Sequence, residues 1–347
     1  MIKIGNREIS DNAPCFIIGE LSCNHRQDIE IAKKSIDLMA EVGIECVKLQ
    51  TSKPDGITID CNNDCFIIKG GTLWDDRTLY DLYKETYTPW EWHQPLKEYA
   101  ESKGLLFFSS PFDLEAVDFL DALDVPAFKI ASFEITDIPF IEKIASKGKP
   151  IIISTGIAEK SDIDEAIAAC KRKGNEQIIL LKCTSAYPAP YNEMNLKLIP
   201  QIMHDYNYLV GLSDHTLDSL AVITAVALGA KVIEKHFIID RKLGGPDAAF
   251  SMEPQEFKKM IQTIRDVESI LGNQDYAMSE TSLKNRRFSK SLFVVKDVME
   301  GETLDEDNIR SIRPGLGLHP KYFYDVLGEK FKKDIKKGTP LSLDLIV

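Results

Sequence analysis

The chain has 347 residues, 44% hydrophobic and 28% charged, with no low-complexity tract, so it can bury a sizeable core. Its formal charge of −12 argues against a nucleic acid or an anionic membrane as partner. The length exceeds one small domain and suits a barrel of ~250 residues with a small appendage.

Ile2–Ile9 reads as a hairpin turning at Gly5-Asn6 and placed to plug a barrel floor. Apolar, β-branched-rich runs then occur at Cys15–Leu21, Ile44–Leu49, Leu105–Phe108, Ala127–Ile130, Ile151–Ile153, Ile178–Leu181, Tyr208–Leu212 and Val232–Ile233. Helical patterns fall between them at Ile29–Ala40, Pro89–Ser102, Leu114–Leu123, Pro139–Ser146, Ile163–Lys171, Leu196–Met203 and Thr216–Leu228, with Pro254–Leu271 last. The count is eight strand–helix units, which predicts a closed (β/α)8 TIM barrel. A doubly wound open sheet is the alternative, but no Gly-x-Gly-x-x-Gly follows the first strand.

Asn273–Arg287 is polar and aperiodic, and short strands with glycine turns follow from Ser291. The expected domains are a catalytic barrel over 1–275, a linker over 276–290 and a small second domain over 291–347. The seven cysteines are scattered and several lie beside apolar strands, the usage of a reducing cytoplasm. Cys61 and Cys65 form a Cys-x3-Cys pair, but no second ligand pair lies nearby. No apolar run approaches ~18 residues and the first residues lack a signal-peptide core, so a cytoplasmic protein outside the membrane is expected.

Two strand ends carry histidines, Ser213-Asp214-His215 and Glu234-Lys235-His236, with one helix between them. A right-handed crossover sets such strands side by side or nearly so, both imidazoles at the carboxyl rim where barrels keep their chemistry. Two neutral imidazoles suit a divalent metal with positions open to substrate; each could instead simply cap its strand.

Further polar residues end the other strands: Glu20, Asn24 and His25; Lys48 and Gln50; Ser109 and Ser110; Lys129, Ser132 and Glu134; Ser154 and Thr155; Lys182, Thr184, Ser185 and Tyr187. Lysine is rarely buried without a partner, yet Lys48 and Lys129 each close an apolar strand. With Ser132, Ser154 and Ser213 they can cradle a phosphate and a carboxylate. The alternative is pairing with Glu20, Glu134 or Glu234.

These residues carry a resemblance. Gly19-Glu-Leu-Ser-Cys-Asn-His25, Val47-Lys-Leu-Gln50, Ser109-Ser-Pro-Phe112, Phe128-Lys-Ile-Ala-Ser132-Phe-Glu134, Ser154-Thr-Gly156 and Cys183-Thr-Ser-Ala-Tyr-Pro188 resemble the sialic acid synthase family of phosphoenolpyruvate-dependent nonulosonic acid synthases. Gly211-Leu-Ser-Asp-His-Thr216, Glu234-Lys-His236 and Gly244-Gly-Pro-Asp247 do likewise. Ser289-Lys-Ser-Leu, Arg313-Pro-Gly-Leu-Gly317 and Lys337-Gly-Thr-Pro340 resemble that family's antifreeze-protein-like (SAF) domain. Gly71-Thr-Leu-Trp-Asp75, Thr78-Leu-Tyr-Asp-Leu-Tyr83, Tyr87-Thr-Pro-Trp-Glu-Trp-His93 and Arg313–Pro320 look like the branch that makes pseudaminic acid.

The resemblance implies condensation of phosphoenolpyruvate with the open-chain aldehyde of 2,4-diacetamido-2,4,6-trideoxy-L-altrose. Legionaminic or N-acetylneuraminic acid, made by the same chemistry from another amino sugar, is the alternative product. It implies His215 and His236 as ligands of Mn²⁺, with Mg²⁺, Co²⁺ or Zn²⁺ as other candidates. Lys48, Ser110, Lys129, Ser132, Ser154 and Ser213 match positions that hold phosphoenolpyruvate. Gln50, Glu134, Ser185, Tyr187, Asp247 and Arg313 match sugar contacts, and Glu20 is the candidate for handling the attacking water. It also implies a domain-swapped homodimer, with Arg313 acting in the partner's site; otherwise Arg313 pairs with a surface carboxylate. Ser110 and Ser185 stand where the N-acetylneuraminate pattern has Thr and Asn, which argues against N-acetylmannosamine as substrate.

A 6-deoxy sugar ends in a methyl, and Trp74, Trp90 and Trp92 could supply an apolar face for it or serve only as packing. A metal-dependent isomerase or aldolase would share the histidines without needing two strand-end lysines. Ice binding by the C-terminal part is disfavoured by Lys330, Lys332, Lys333, Lys336 and Lys337.

Overall fold

The computed structural model describes residues 1–272 and 275–347. Asn273 and Gln274, the start of the polar stretch expected after the barrel, lie outside the described residues. Two compact units are present, Met1–Gly272 and Asn273–Val347.

The first unit opens with an antiparallel hairpin, β1 (Ile2–Ile4) and β2 (Arg7–Ile9). Its turn needs Gly5, whose φ is +56° and where a Cβ would meet Leu106 Cδ2 at 2.7 Å and Pro126 Cβ at 3.8 Å. Those neighbours begin later strands, and Ile4 and Ile9 are buried, so the hairpin does cover the amino-terminal floor of the barrel.

Eight parallel strands follow: β3 (Phe16–Glu20), β4 (Cys46–Thr51), β5 (Leu106–Pro111), β6 (Phe128–Ile130), β7 (Ile151–Ser154), β8 (Ile178–Cys183), β9 (Leu209–Asp214) and β10 (Val232–His236). β10 closes the barrel on β3, with Val232 opposite Phe16 and His236 opposite Glu20. The TIM barrel expected from the apolar runs is therefore present. Strands buried on both faces read as continuous apolar stretches, which is why each was visible in the sequence. Several run further than their apolar residues. β8 continues to Cys183, β9 to Asp214 and β10 to His236, because ladder pairing is made by backbone and does not stop at a polar side chain.

The helical layer agrees closely over Ile29–Val42, Leu114–Ala122 and Pro254–Leu271. The helix expected from Thr216 starts at Leu220, since Asp218 Oδ1 accepts the Leu220 N–H and holds a turn first. The connection from β4 to β5 holds two short helices not expected from the sequence besides the helix expected over Pro89–Ser102, whose first residues form a 3₁₀ turn. It contains a short helix at Pro54–Ile57, a helix at Leu79–Thr86 capped by Thr78, and a 3₁₀ turn at Trp90–Trp92 before the helix His93–Ser102.

The second unit pairs β11 (Ser291–Val294) antiparallel with β12 (Ile309–Ile312). Leu292, Val294, Leu304, Ile309, Phe331 and Leu341 form its separate core. The segment expected as a linker contains a helix at Glu280–Asn285, started by a Ser279 cap, and a turn at Arg286–Phe288. Among the described residues no helix is long and apolar enough to cross a membrane.

Candidate active site

Side chains alternate across a strand, so every second strand-end residue faces the barrel axis. Glu20, Lys48, Ser110, Lys129, Ser213, Glu234 and His236 are the inward set, each at most 8% exposed. Their neighbours Ser109, Lys182, Asp214 and Lys235 point away from it, and that alternation decides which of the expected rim residues share a site.

Four charges meet inside. Lys48 Nζ lies 2.5 Å from Glu20 Oε2 and 3.3 Å from Glu234 Oε1, and it donates to Ser110 Oγ at 3.2 Å. Lys129 Nζ donates to Ser154 Oγ at 2.7 Å and to the Ile130 carbonyl at 3.1 Å, with Glu234 Oε1 at 3.7 Å. Ser213 Oγ completes the group by donating to Glu234 Oε1 at 3.1 Å. Both lysines therefore do pair with buried carboxylates, as the alternative reading had it. The pairing does not saturate the site: Glu234 Oε2 and Glu20 Oε1 have no hydrogen-bond partner, although each is buried.

Burial alone would lower Lys48, but Glu20 and Glu234 outweigh it and hold its ammonium above the usual range. Lys129 has only the more distant carboxylate, and burial pulls it below the usual lysine range. Burial would raise Glu234, and the two lysines carry it well below instead.

Beside this cluster stand the histidines. The His215 and His236 rings are 5.3 Å apart, centre to centre. His215 Nδ1 lies 3.2 Å from the Thr184 carbonyl oxygen and 3.9 Å from Cys183 Sγ. His236 Nδ1 is buried without a hydrogen-bond partner, the Asp247 Oδ2 at 3.4 Å being poorly placed to accept. Asp247 itself accepts from Ser22 Oγ at 2.5 Å, tying the turn after β3 to the loop after β10. Two imidazoles, one with an orphaned nitrogen, and a carboxylate within reach of that nitrogen form a donor set that fits a divalent metal. Among the described residues no three acidic, cysteine or histidine side chains are gathered to enclose an ion by themselves, so further ligands would come from substrate or water.

Tyr187 and Phe250 wall the histidines, at 4.5 Å from the His215 ring and 4.9 Å from the His236 ring. Gly156 lets the loop after β7 press close: a Cβ there would sit 2.1 Å from Ser185 Oγ and 2.7 Å from Ser132 Oγ. Ser132 Oγ accepts the Gly156 N–H at 3.3 Å. Glu134 is mostly buried with one oxygen unpartnered, and burial raises its carboxyl to about 7. Gln50 is half-buried on β4. Arg313 is exposed, immediately after β12 in the second unit.

Several expected rim residues have other tasks. Asn24 Nδ2 donates to Phe237 O and Ser251 Oγ, His25 pairs with Thr88, and Ser109 with Thr51. Lys182 turns to the Cys183 carbonyl and Thr184 Oγ1, bordering a cavity of about 630 Å³ that Gly156, Cys183 and Ser185 also line. Cys183 and Phe250 were not singled out from the sequence. For Cys183 the signal was available, since it directly ends the strand preceding Thr184. Its thiol is drawn down to about 7: burial pushes it up, and the adjacent His215 outweighs that.

A barrel whose carboxyl rim joins buried lysines to paired histidines can hold an anion beside a divalent metal. The NeuB family profile matches residues 35–276 and the SAF domain profile residues 289–347. The chain is 45% identical over 341 residues to the pseudaminic acid synthase of Campylobacter jejuni, covering 98% of each. It is 46% identical over 332 residues to that of Helicobacter pylori, covering 95% of this chain and 97% of the other. A solved N-acetylneuraminic acid synthetase from Leptospira borgpetersenii superposes with a TM-score of 0.74 at 31% identity, covering 82% of this chain and 94% of that one. The chain belongs to the NeuB family and carries a C-terminal SAF domain.

Proposed function

We propose that the protein condenses phosphoenolpyruvate with 2,4-diacetamido-2,4,6-trideoxy-L-altrose and water, giving pseudaminic acid and phosphate. The observation that carries this is the meeting of two buried ammonium groups and two imidazoles in one barrel mouth. The higher identity to the two pseudaminic acid synthases than to the N-acetylneuraminic acid synthetase supports the choice of sugar.

Lys129 with Ser154, and Lys48 with Ser110, hold the phosphate and carboxylate of phosphoenolpyruvate, with Ser132 and Ser213 as further donors. On binding, the substrate takes over ammonium groups that Glu20 and Glu234 hold in its absence. The sugar lies between Gln50, Glu134, Ser185, Tyr187 and Asp247, its aldehyde toward the histidines. A divalent ion at His215 and His236, Mn²⁺ by the preference of imidazole donors, would polarise the aldehyde oxygen as a Lewis acid. C3 of the enol ether forms the new C–C bond to the aldehyde carbon, and C2 takes up positive charge. Water adds at C2; one of its protons passes by way of the Glu20 carboxylate to the alkoxide left on the former aldehyde oxygen, and the other leaves with the phosphate expelled by C–O cleavage as C2 becomes a ketone. Full assembly is a two-fold dimer in which the partner's SAF domain supplies Arg313 over the sugar.

Phosphate release with phosphoenolpyruvate, measured against the L-altro sugar, its D-manno counterpart and N-acetylmannosamine, tests the proposal. Preference for the L-altro sugar is expected. Preference for the D-manno sugar would make the product legionaminic acid, and release with none of them would remove the reaction.

A further inference from the structure

The connection from β4 to β5 brings three tryptophans toward the barrel mouth, and two are occupied. Trp90 stacks on Phe119 at 4.5 Å, donates its indole N–H to the Ser52 carbonyl and lies under Lys53 Nζ at 4.0 Å. Trp92 packs edge-on to buried His25 at 5.5 Å. Trp74 is different. Its ring lies 5.6 Å from that of Tyr187, which in turn is 4.5 Å from His215. It also borders a cavity of about 380 Å³ with Arg26, Leu73, Arg77, Glu85, Pro246 and Ala249, Pro246 directly preceding Asp247.

The loop that carries Trp74 is held in shape. Ile68 donates its N–H to Arg77 O at 2.8 Å and accepts from Asp76 N at 3.0 Å, with Ile67 bridged to Thr78 beyond. Inside this hairpin the Asp75 carboxylate accepts from Gly71 N, Thr72 N and Thr72 Oγ1 at 2.7 to 2.8 Å. The tip thus presents a fixed aromatic face, with little ordering left for binding to impose. From the same connection Tyr83 approaches Glu134: burial first, and that carboxylate second, raise its hydroxyl.

We infer that Trp74 is a specificity-determining wall of the sugar subsite, its indole face receiving the C6 methyl end of the 6-deoxy diacetamido sugar. The inference rests on the function proposed above. With the aldehyde at the histidines, Tyr187 lies between His215 and Trp74, so a sugar running along Tyr187 brings its far end toward the indole. An indole face gains more free energy by covering a methyl than a hydroxymethyl, which must give up water, and the buried, unpartnered Trp74 indole N–H is left to donate to a sugar oxygen. The tripled aromatic content of this connection thus divides by role: Trp90 and Trp92 fasten it, and Trp74 reads substrate.

The test is steady-state kinetics of Trp74→Ala and Trp74→Phe, with circular dichroism and Tm as folding controls. Trp74→Ala should raise KM for the diacetamido L-altro sugar about tenfold, narrow its preference over N-acetylmannosamine by a similar factor, and leave KM for phosphoenolpyruvate unchanged. Trp74→Phe should keep most of the preference and carries the test if the alanine variant does not fold. An unchanged sugar KM, or equal rises in both KM values, overturns the inference while the proposed reaction stands. Absence of phosphate release by the wild-type protein with every sugar overturns the reaction itself, and the inference with it.

Discussion

Lys235 and Asp214 form an ion pair at 2.5 Å with neither side chain exposed, and each directly precedes one of the two histidines. The residues lie opposite each other in the β9–β10 ladder. Lys235 Nζ also donates to the Thr216 carbonyl at 2.6 Å, while Asp214 accepts from Thr216 N and Oγ1. The two imidazole-bearing strand ends are thus clamped from outside the barrel. Lys235→Met should cost about 3–5 kcal/mol in urea unfolding, because it leaves a buried carboxylate unpaired. Pairing it with Asp214→Leu should recover much of that loss; a double variant no better than the single would mean the clamp is not electrostatic.

His236→Ala should abolish turnover while the far-ultraviolet circular dichroism stays native. One imidazole is not expected to hold a divalent ion in the same geometry, and the lost charge stabilisation amounts to several kcal/mol. Electron paramagnetic resonance of added Mn²⁺ should show a bound ion in the wild type and none in the variant. Full activity in a chelated, metal-free His236→Ala preparation would remove the metal from the mechanism.

The two interior lysines should separate. Lys129→Ala should raise KM for phosphoenolpyruvate by about 10- to 100-fold and that for the sugar far less, since hydrogen bonds to charged groups contribute about 1.5–3 kcal/mol. Lys48→Ala should do this and also lower Tm more than Lys129→Ala, because Glu20 and Glu234 both lose their nearest cation. Equal rises in both KM values for Lys129→Ala would make that lysine structural.

Glu134 gives a pH dependence with a definite sign. Burial raises its carboxyl from 4.5 to about 7, so the folded chain binds this proton more tightly than the unfolded one. Its stabilising contribution is complete below pH 4.5 and is lost as pH rises through about 7, up to about 3 kcal/mol in all. His25 and His93 act on the acid side: burial lowers both from 6.5 to about 4, so their contribution disappears as pH falls through that window. The unfolding free energy of Glu134→Gln minus that of the wild type should therefore grow as pH is raised from 4.5 to 8. A difference flat with pH would show that Glu134 is ionised in the fold.

Arg313 should act across the dimer. His215→Ala and Arg313→Ala subunits unfolded, mixed and refolded together should regain activity, because an exchanged pair carries one intact site. Heterodimers that form and remain inactive would place Arg313 over its own barrel.

The barrel was legible because buried parallel strands leave apolar runs, and the inward residues because strand ends are countable. Register was not legible. That Glu234, two residues before His236, would lie between Lys48 and Lys129 depends on how β10 and β9 align with strands far away in the chain. The helix Leu79–Thr86 was missed for another reason: its apolar stripe of Leu79, Leu82 and Tyr83 covers barely two turns and buries only Leu82 fully, too short to stand out in a polar connection. The roles of the tryptophans diverge through contacts with Phe119, His25 and Tyr187, residues that no spacing rule links to them.

The packed barrel interior, floored by the hairpin, makes the chamber a cul-de-sac. With Ile4 and Ile9 buried across that floor, whatever enters at the carboxyl rim must leave by it. On the proposed reaction, depth then sets an order in time: phosphoenolpyruvate, bound at the interior lysines, should enter before the sugar, and phosphate should leave after the sugar acid. A queue of this kind should appear in steady-state kinetics as phosphate competing with phosphoenolpyruvate but not with the sugar, an expectation drawn from an eight-residue hairpin far from the reacting atoms.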